Sequence, residues 1–231
     1  MLKSNKALIE EVVDRAMPQP LDLLRRTPVR ILPEKMRDNG QLDKEGYQKW
    51  NPTKSIITDE DIDKFETDIG LTFPESYRVF LKYKHFFELK IWSVRFDAFL
   101  PDKQLPKLRE LATAFLPDRI IGKGLLPFAD EALMDAGVVC IDTNQLDSNG
   151  DMPIVYWDHD WIGTSKEVVQ IFSSTRKMFE CFDIETKFGN SLFYINHDKG
   201  EKFEEARRDA LNEFLECDSS GALKAREYWD R

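Results

Sequence analysis

The sequence predicts a domain that combines α-helices with β-strands, and three observations lead to this fold class. Residues 58–81 carry the spacing and caps of two consecutive helices, residues 87–91 alternate apolar and polar side chains as a strand does, and helical periodicity returns after residue 165. The chain has 231 residues, of which 42% are hydrophobic, which is enough to form a core without disulfides or metals. The order of elements along the chain is therefore a helix pair, then strands, then a helix.

The capped helix pair is the clearest local signal. Thr58 precedes three acidic residues and can cap the first helix, because its hydroxyl accepts a backbone N–H and the acids lie at the positive end of the helix dipole. Gly70 can end this helix in the left-handed conformation, and Pro74 can begin the next one. We expect the pair to place these apolar side chains in the core: Phe65, Ile69, Phe73 and Phe80.

Further elements follow from local periodicity. Alternation predicts strands over 87–91, 125–128, 138–142 and 154–158, and helical spacing predicts helices over 105–115, 165–182 and 201–215, with an additional helix near residues 8–13. Ser165 is interpreted as the N-cap of the 165–182 helix. We divide the chain into an N-terminal helical extension (1–50), a central domain (51–185) and a C-terminal helical extension (186–231).

The charge distribution is uneven. The formal net charge is −9, from 33 basic and 42 acidic residues, which argues against nucleic acid as a partner, because phosphate contacts need cations. No lysine or arginine lies between Lys123 and Lys166, where eight acids occur: Asp130, Glu131, Asp135, Asp142, Asp147, Asp151, Asp158 and Asp160. This acidic segment is either an ordinary solvated face or a recognition surface that attracts a cationic protein.

Three aromatic residues within the acidic segment, Tyr156, Trp157 and Trp161, are possible anchors for such a partner. Strand alternation places Val155 and Trp157 on one face and Tyr156 and Asp158 on the other. We expect Trp157 to be a core residue and Trp161 to be the better surface candidate. The candidate partner-binding residues are therefore Asp130, Glu131, Asp135, Asp142, Asp158, Asp160 and Trp161.

Patterns for catalysis and metal binding are weak. Asp147, Asn149 and Asp151 alternate as in a calcium loop, but the glycine is misplaced and the closing glutamate is missing, which favours a turn. His159 has no ligand spacing to the other histidines, and Ser165 lacks the flanking glycines of a nucleophile elbow. We predict no catalytic residues, no metal site and no cofactor.

Segments that direct a protein to a membrane or out of the cell are not evident. The N-terminus lacks the apolar run of a signal peptide, and no run approaches the roughly 20 apolar residues of a membrane span. The three cysteines have no C-x-x-C spacing, which favours reduced thiols. We expect a cytoplasmic protein with no membrane partner.

Several motifs follow one another in a recognisable order. They are residues 57–66, Ile69-Gly70-Leu71, Phe73-Pro74-Glu75-Ser76-Tyr77, Phe80-Leu81, Gly124-Leu125-Leu126-Pro127-Phe128-Ala129-Asp130, residues 137–142 and residues 153–160. This order resembles the SUKH superfamily, whose members include the yeast cell-wall-assembly regulator and many bacterial toxin-immunity proteins.

The likeness covers about residues 56–182, and one departure is Lys82-Tyr83-Lys84-His85, where the family often has an Asn-Gly-Gly turn. The resemblance implies that the domain over residues 51–185 has an α+β fold, with a mostly antiparallel sheet flanked by helices, and a binding role rather than catalysis.

Three functional hypotheses remain open at this point. The first is an immunity protein that neutralises a basic toxin, such as a nuclease or deaminase, by stoichiometric binding through an acidic surface. The second is an intracellular scaffold or regulator of the same fold, with the terminal helices as docking elements. The third is a metal-assisted hydrolase that uses the acids between Asp147 and Asp160.

Overall fold

An antiparallel sheet lies at the centre of the computed structural model, which describes residues 3–17, 26–38, 40, 42–97, 99–114, 117–131, 137–189 and 200–229. The helices and strands of these residues are α1 (Asn5–Ala16), β1 (Arg26–Pro28), β2 (Tyr47–Lys49), β3 (Thr53–Lys54), α2 (Asp59–Ile69), α3 (Glu75–Leu81), β4 (Lys84–His85), β5 (Glu88–Ile91), β6 (Val94–Asp97), α4 (Gln104–Ala114), β7 (Leu125–Glu131), β8 (Gly137–Asp142), β9 (Ile154–Asp158), β10 (Val168–Phe172), α5 (Thr175–Lys187), α6 (Glu201–Cys217) and α7 (Arg226–Trp229). Within the described residues the central sheet has six strands in the order β10-β9-β8-β7-β6-β5, and two short ribbons pair β1 with β2 and β3 with β4. The α+β fold class with a mostly antiparallel sheet is confirmed.

The helix pair forms as the sequence predicts. The Thr58 hydroxyl accepts the Asp61 backbone N–H at 3.2 Å, and the Asp61 carboxylate accepts the Thr58 backbone N–H at 3.0 Å, which makes a capping box. Gly70 adopts a φ of 72°, the left-handed conformation expected at the end of α2. Pro74 occupies the cap position of α3. Of the expected core residues, Phe65, Phe73 and Phe80 are buried, and Ile69 packs against the same core half-buried.

The predicted helix over 165–182 is wrong in its first half. Residues 168–172 form the edge strand β10, which pairs with β9, and α5 begins only at Thr175. The N-cap of α5 is Ser174, whose side chain accepts the Lys177 backbone N–H at 3.1 Å. Ser165 instead lies in the loop between β9 and β10. The β-branched residues of this segment favour a strand, and pairing with the neighbouring β9 makes residues 168–172 a strand instead of a helix.

The two faces of β9 contribute to different apolar clusters. Tyr156 belongs to the main core beneath the helices, whereas Val155 and Trp157 pack with Leu125 and Cys140 on the opposite face of the sheet. Trp157 is fully buried, which confirms its predicted core position. Tyr156 is also fully buried, and it therefore cannot act as a surface anchor.

Both terminal segments contribute to the main core. Val12 and Val13 of α1 are buried, and the Trp229 ring lies 5.0 Å from Phe172 and 5.3 Å from Phe214. The apolar side chains of the terminal segments therefore complete the interior of the protein. The predicted division at residues 50/51 and 185/186 stays a prediction.

A buried carboxylate holds the C-terminal segment against the edge of the sheet. Asp218 is 1% exposed and accepts the backbone N–H and the hydroxyl of Ser173, both at 2.6 Å, and the Gly221 backbone N–H at 3.0 Å. A Cβ at Gly221 would lie 2.2 Å from the Ser173 nitrogen, so only glycine fits this close approach. The contact positions Trp229 over Phe172.

We expect Trp229→Ala to lower the free energy of unfolding by about 3–5 kcal/mol, because it removes a buried ring from the core. Urea denaturation measures this change. The control is Leu223→Ala in the same segment, where the side chain is 38% exposed and the expected change is within about 0.5 kcal/mol. Equal effects of the two substitutions would show that the C-terminal segment does not pack as described.

His85 connects β4 to the segment before α2. It is fully buried, and its Nε2 accepts the Ile56 backbone N–H at 3.0 Å. Burial lowers the pKa of His85, and the hydrogen bond also requires the neutral ring. Because the unfolded chain binds the proton more readily, the stability contribution is complete above about pH 6.5 and is lost as pH falls through the lower pKa of the folded state.

We expect the free energy of unfolding to fall on acidification below about pH 6.5, and less steeply in His85→Gln, which keeps an acceptor but cannot titrate in this range. Chemical denaturation at a series of pH values measures both slopes. Identical slopes would contradict the assignment of this titration to His85.

Candidate protein-interaction site

The pairing of the central strands divides the acidic segment between two ends of the sheet. Asp130 lies opposite Val138 and Asp158 lies opposite Gly137, at the start of β8. Asp142 lies at the other end of β8, about 17 Å away at the usual rise per strand residue. The candidate residues therefore do not form one continuous surface.

Three of the candidate acids lie inside the fold. Glu131, Asp142 and Asp158 are 4%, 8% and 3% exposed. The Asp142 carboxylate accepts side-chain N–H groups of Asn144 and Gln145, at 2.8 and 2.7 Å, and Asp158 accepts the backbone N–H two residues further on at 2.9 Å. Asp142 and Asp158 therefore stabilise the turns that leave their strands. The burial of all three acids corrects the expectation that their carboxylates are displayed to a partner.

The remaining candidates differ in their environment. Asp130 is half-buried and lies 3.5 Å from the Arg95 guanidinium of the neighbouring strand. Burial raises the pKa of its carboxyl, and Arg95 acts in the opposite direction. Asp135 lies outside the described residues. Asp160 and Trp161 are exposed, with 68% of the Asp160 side chain and 42% of Trp161 accessible to solvent.

Asp160 and Trp161 belong to the β9–β10 loop, which comprises residues 159–167. Ile162 follows them and is 36% exposed, so an acidic, an aromatic and an aliphatic side chain are presented side by side. The sequence analysis did not include Ile162 among the candidates. Its position directly before Gly163-Thr164-Ser165, residues typical of a turn, could have indicated that its side chain is exposed. These three side chains, Asp160, Trp161 and Ile162, form the candidate interaction site, and we call them the loop tip.

Glu167 holds this loop from beneath. Its Oε2 accepts the Gly163 backbone N–H at 2.8 Å, and its Oε1 accepts the Trp157 indole N–H at 3.2 Å and the Lys123 ammonium at 3.1 Å. The Arg119 guanidinium lies 3.6 Å from the same oxygen. The Gly163 N–H and the Lys123 ammonium are the main causes that lower the pKa of Glu167 to about 2. The sequence-based interpretation of Glu167 as part of a helix start missed this role.

Local hydrogen bonds give the loop tip a defined conformation. The Thr164 hydroxyl and backbone N–H both donate to the Trp161 carbonyl, at 2.7 and 3.0 Å. The Lys166 ammonium lies 4.8 Å from the centre of the Trp161 indole, within the range of a cation–π contact. Because the ring is already positioned, a partner that binds it loses little conformational entropy.

The predicted turn at residues 147–151 forms at the opposite end of the sheet. Asp147 Oδ1 accepts the backbone N–H groups of Asn149 and Asp151 at 2.7 and 2.9 Å. Asp151 in turn accepts the Ser76 hydroxyl at 3.1 Å and the Arg176 backbone N–H at 2.8 Å. In the described part of the chain, no three histidine, cysteine, aspartate or glutamate side chains are arranged to hold a metal ion.

Comparison with protein families places this geometry in context. The model of the SMI1/KNR4 family (SUKH-1) matches residues 56–181, more than half of the chain, and the matched region includes the β9–β10 loop. A comparison with curated proteins found no significant match. Among the described helices, none has the length and apolar character required to cross a membrane.

We expect Glu167→Ala to lower the free energy of unfolding by about 1–3 kcal/mol, because it leaves the Gly163 and Trp157 N–H groups without their acceptor. Amide hydrogen exchange should also become faster at Gly163. The control is the exposed Glu201→Ala, with an expected change within about 0.5 kcal/mol.

The pH dependence gives a second test of the same interaction. The pKa of Glu167 is lower in the folded state, so its contribution is present above about pH 4.3 and is lost as pH falls toward 2. The stability difference between wild type and Glu167→Gln should therefore shrink over this range. A difference that does not depend on pH would contradict the charged role of Glu167.

Proposed function

Because the chain belongs to the SMI1/KNR4 (SUKH-1) family, we propose that it is a protein-binding domain of the immunity type, which neutralises a basic toxin in the cytoplasm. The proposed mechanism is stoichiometric blocking of a nuclease or deaminase module, without turnover. The resemblance to bacterial toxin-immunity proteins, together with the family match, supports this assignment.

The observation that carries the proposal is the loop tip. Trp161 and Ile162 present apolar surface beside the Asp160 carboxylate, on a loop that Glu167 anchors to the sheet. Aromatic residues positioned in this way are frequent binding hot spots, and an adjacent acid can pair with a lysine or arginine of the partner. This arrangement favours recognition of a cationic surface that also contains an apolar pocket.

Electrostatic attraction acts over a longer range than the loop tip itself. The net charge of −9 creates a negative field that speeds association with a basic protein. The overall charge, and not a continuous surface of eight acids, would attract the partner, because three of those acids are buried. Because salt screens charges beyond about 10 Å at 0.1 M, association should slow as ionic strength rises.

A scaffold of the same fold is the second candidate function. It is favoured by α6, a helix of 17 residues in which only Phe214 and Leu215 are buried. Its exposed side chains, among them Glu205, Arg208 and Asp209, form the surface that would dock a partner. Charge reversals on α6 that abolish binding while Trp161→Ala leaves it unchanged would favour the scaffold function.

We expect Trp161→Ala to weaken binding to a toxin module of the proposed class, a basic nuclease or deaminase, by about 2 kcal/mol, or roughly 30-fold. Isothermal titration calorimetry should give a 1:1 stoichiometry. The matched control is Leu146→Ala, because Leu146 is 66% exposed and lies in the loop at the opposite end of the sheet. Equal affinity of wild type and Trp161→Ala, or indifference of the association rate to salt, would contradict the proposal.

A further inference from the structure

A second surface feature is a groove of about 490 Å³ between α1, α3 and the β3–β4 ribbon. Four lysines line this groove, although the chain as a whole is strongly acidic. We call it the lysine groove. Its lining residues are Lys6, Glu10, Lys54, Val79, Lys82, Tyr83 and Lys84.

Two of these lysines are neutralised from outside the groove. The Lys82 ammonium lies 2.7 Å from Asp59, and the Lys84 ammonium lies 2.5 Å from Asp14. Both lysines therefore hold fixed positions, with their side chains 29% and 27% exposed. They form the ordered part of the groove wall.

The other two lysines remain available to a ligand. Lys6 is 75% exposed at its side chain and lies 4.0 Å from Glu10, a weak contact at the limit of an ion pair. Lys54 is exposed and has no carboxylate partner among the described residues. It lies directly opposite Lys84 in the β3–β4 ribbon. Because Lys84 is already paired with Asp14, Lys54 is the lysine of this strand pair that can bind a carboxylate of a ligand.

The floor of the groove is apolar. Val79 and the Tyr83 ring are half-buried, and both pack against the main core. The Tyr83 hydroxyl donates to Asp14 at 2.9 Å, which fixes the orientation of the ring. An apolar side chain of a ligand can rest on this floor while its carboxylates approach Lys6 and Lys54.

We infer that the lysine groove binds an acidic segment of a protein partner, in which an apolar residue is flanked by aspartates or glutamates. The nearby carboxylates of Glu10, Asp14 and Asp59, together with the negative field of the chain, oppose a long polyanion such as a nucleic acid. A short peptide can place its charges only at the two available lysines. This site is independent of the loop tip and of the proposed toxin binding.

The test uses the full chain and the synthetic peptide acetyl-Glu-Phe-Glu-amide, whose two carboxylates match the two available lysines, at low salt. We expect amide chemical-shift changes in NMR at Lys54, Val79 and Tyr83, and none at the loop tip. Lys54→Glu should weaken binding about tenfold or more, because it replaces an attraction by a repulsion. Lys224→Glu, a charge reversal at an exposed lysine of the C-terminal segment, is the matched control and should change affinity less than about twofold.

Three results would overturn the inference. The first is the absence of chemical-shift changes in the groove at millimolar peptide concentration. The second is an equal loss of peptide affinity in Lys54→Glu and Lys224→Glu. The third is that a single-stranded oligonucleotide, or a peptide with lysine and arginine in place of the acids, binds as tightly as the acidic peptide. Trp161→Ala serves as the separate control for the proposed function. It should leave peptide binding unchanged, so failure at one site can be distinguished from failure at the other.

Discussion

The antiparallel register of β7, β8 and β9 determines where the candidate side chains of this protein lie. Its tightest point is Gly137, opposite Asp158, where an added Cβ would lie 1.9 Å from the Trp157 carbonyl oxygen. Only glycine permits this approach of the two backbones. The register sends Asp130 and Asp158 to one end of the sheet and Asp142 to the other, and it places Trp157 on the face opposite the helices.

Glu167 joins this buried scaffold to an exposed surface. The same carboxylate accepts the indole N–H of the buried Trp157 and the backbone N–H of Gly163 in the loop. The packing of the sheet therefore limits the motion of the loop tip. Such an arrangement suits a binding domain, because a positioned aromatic side chain reduces the entropy lost on association.

The two proposed binding surfaces of the protein differ in character. The loop tip presents Asp160 and Trp161 within a negative field, whereas the lysine groove presents Lys6 and Lys54 above an apolar floor. A partner with a basic catalytic face and a separate acidic segment could engage both features. Two separate contacts of moderate strength raise the effective affinity when their geometry permits simultaneous binding.

Local rules in the sequence determined the helix pair, because Thr58 and Gly70 act within a few residues of their own positions. Alternation likewise predicted that Val155 and Trp157 share a face. Local periodicity wrongly predicted a helix at residues 168–172, because these residues form a strand by pairing with β9, a contact that local rules do not describe. Only the tertiary structure decided that Asp142 and Asp158 are buried and that residues 6, 54 and 84 meet in one groove, because these outcomes depend on contacts between distant segments.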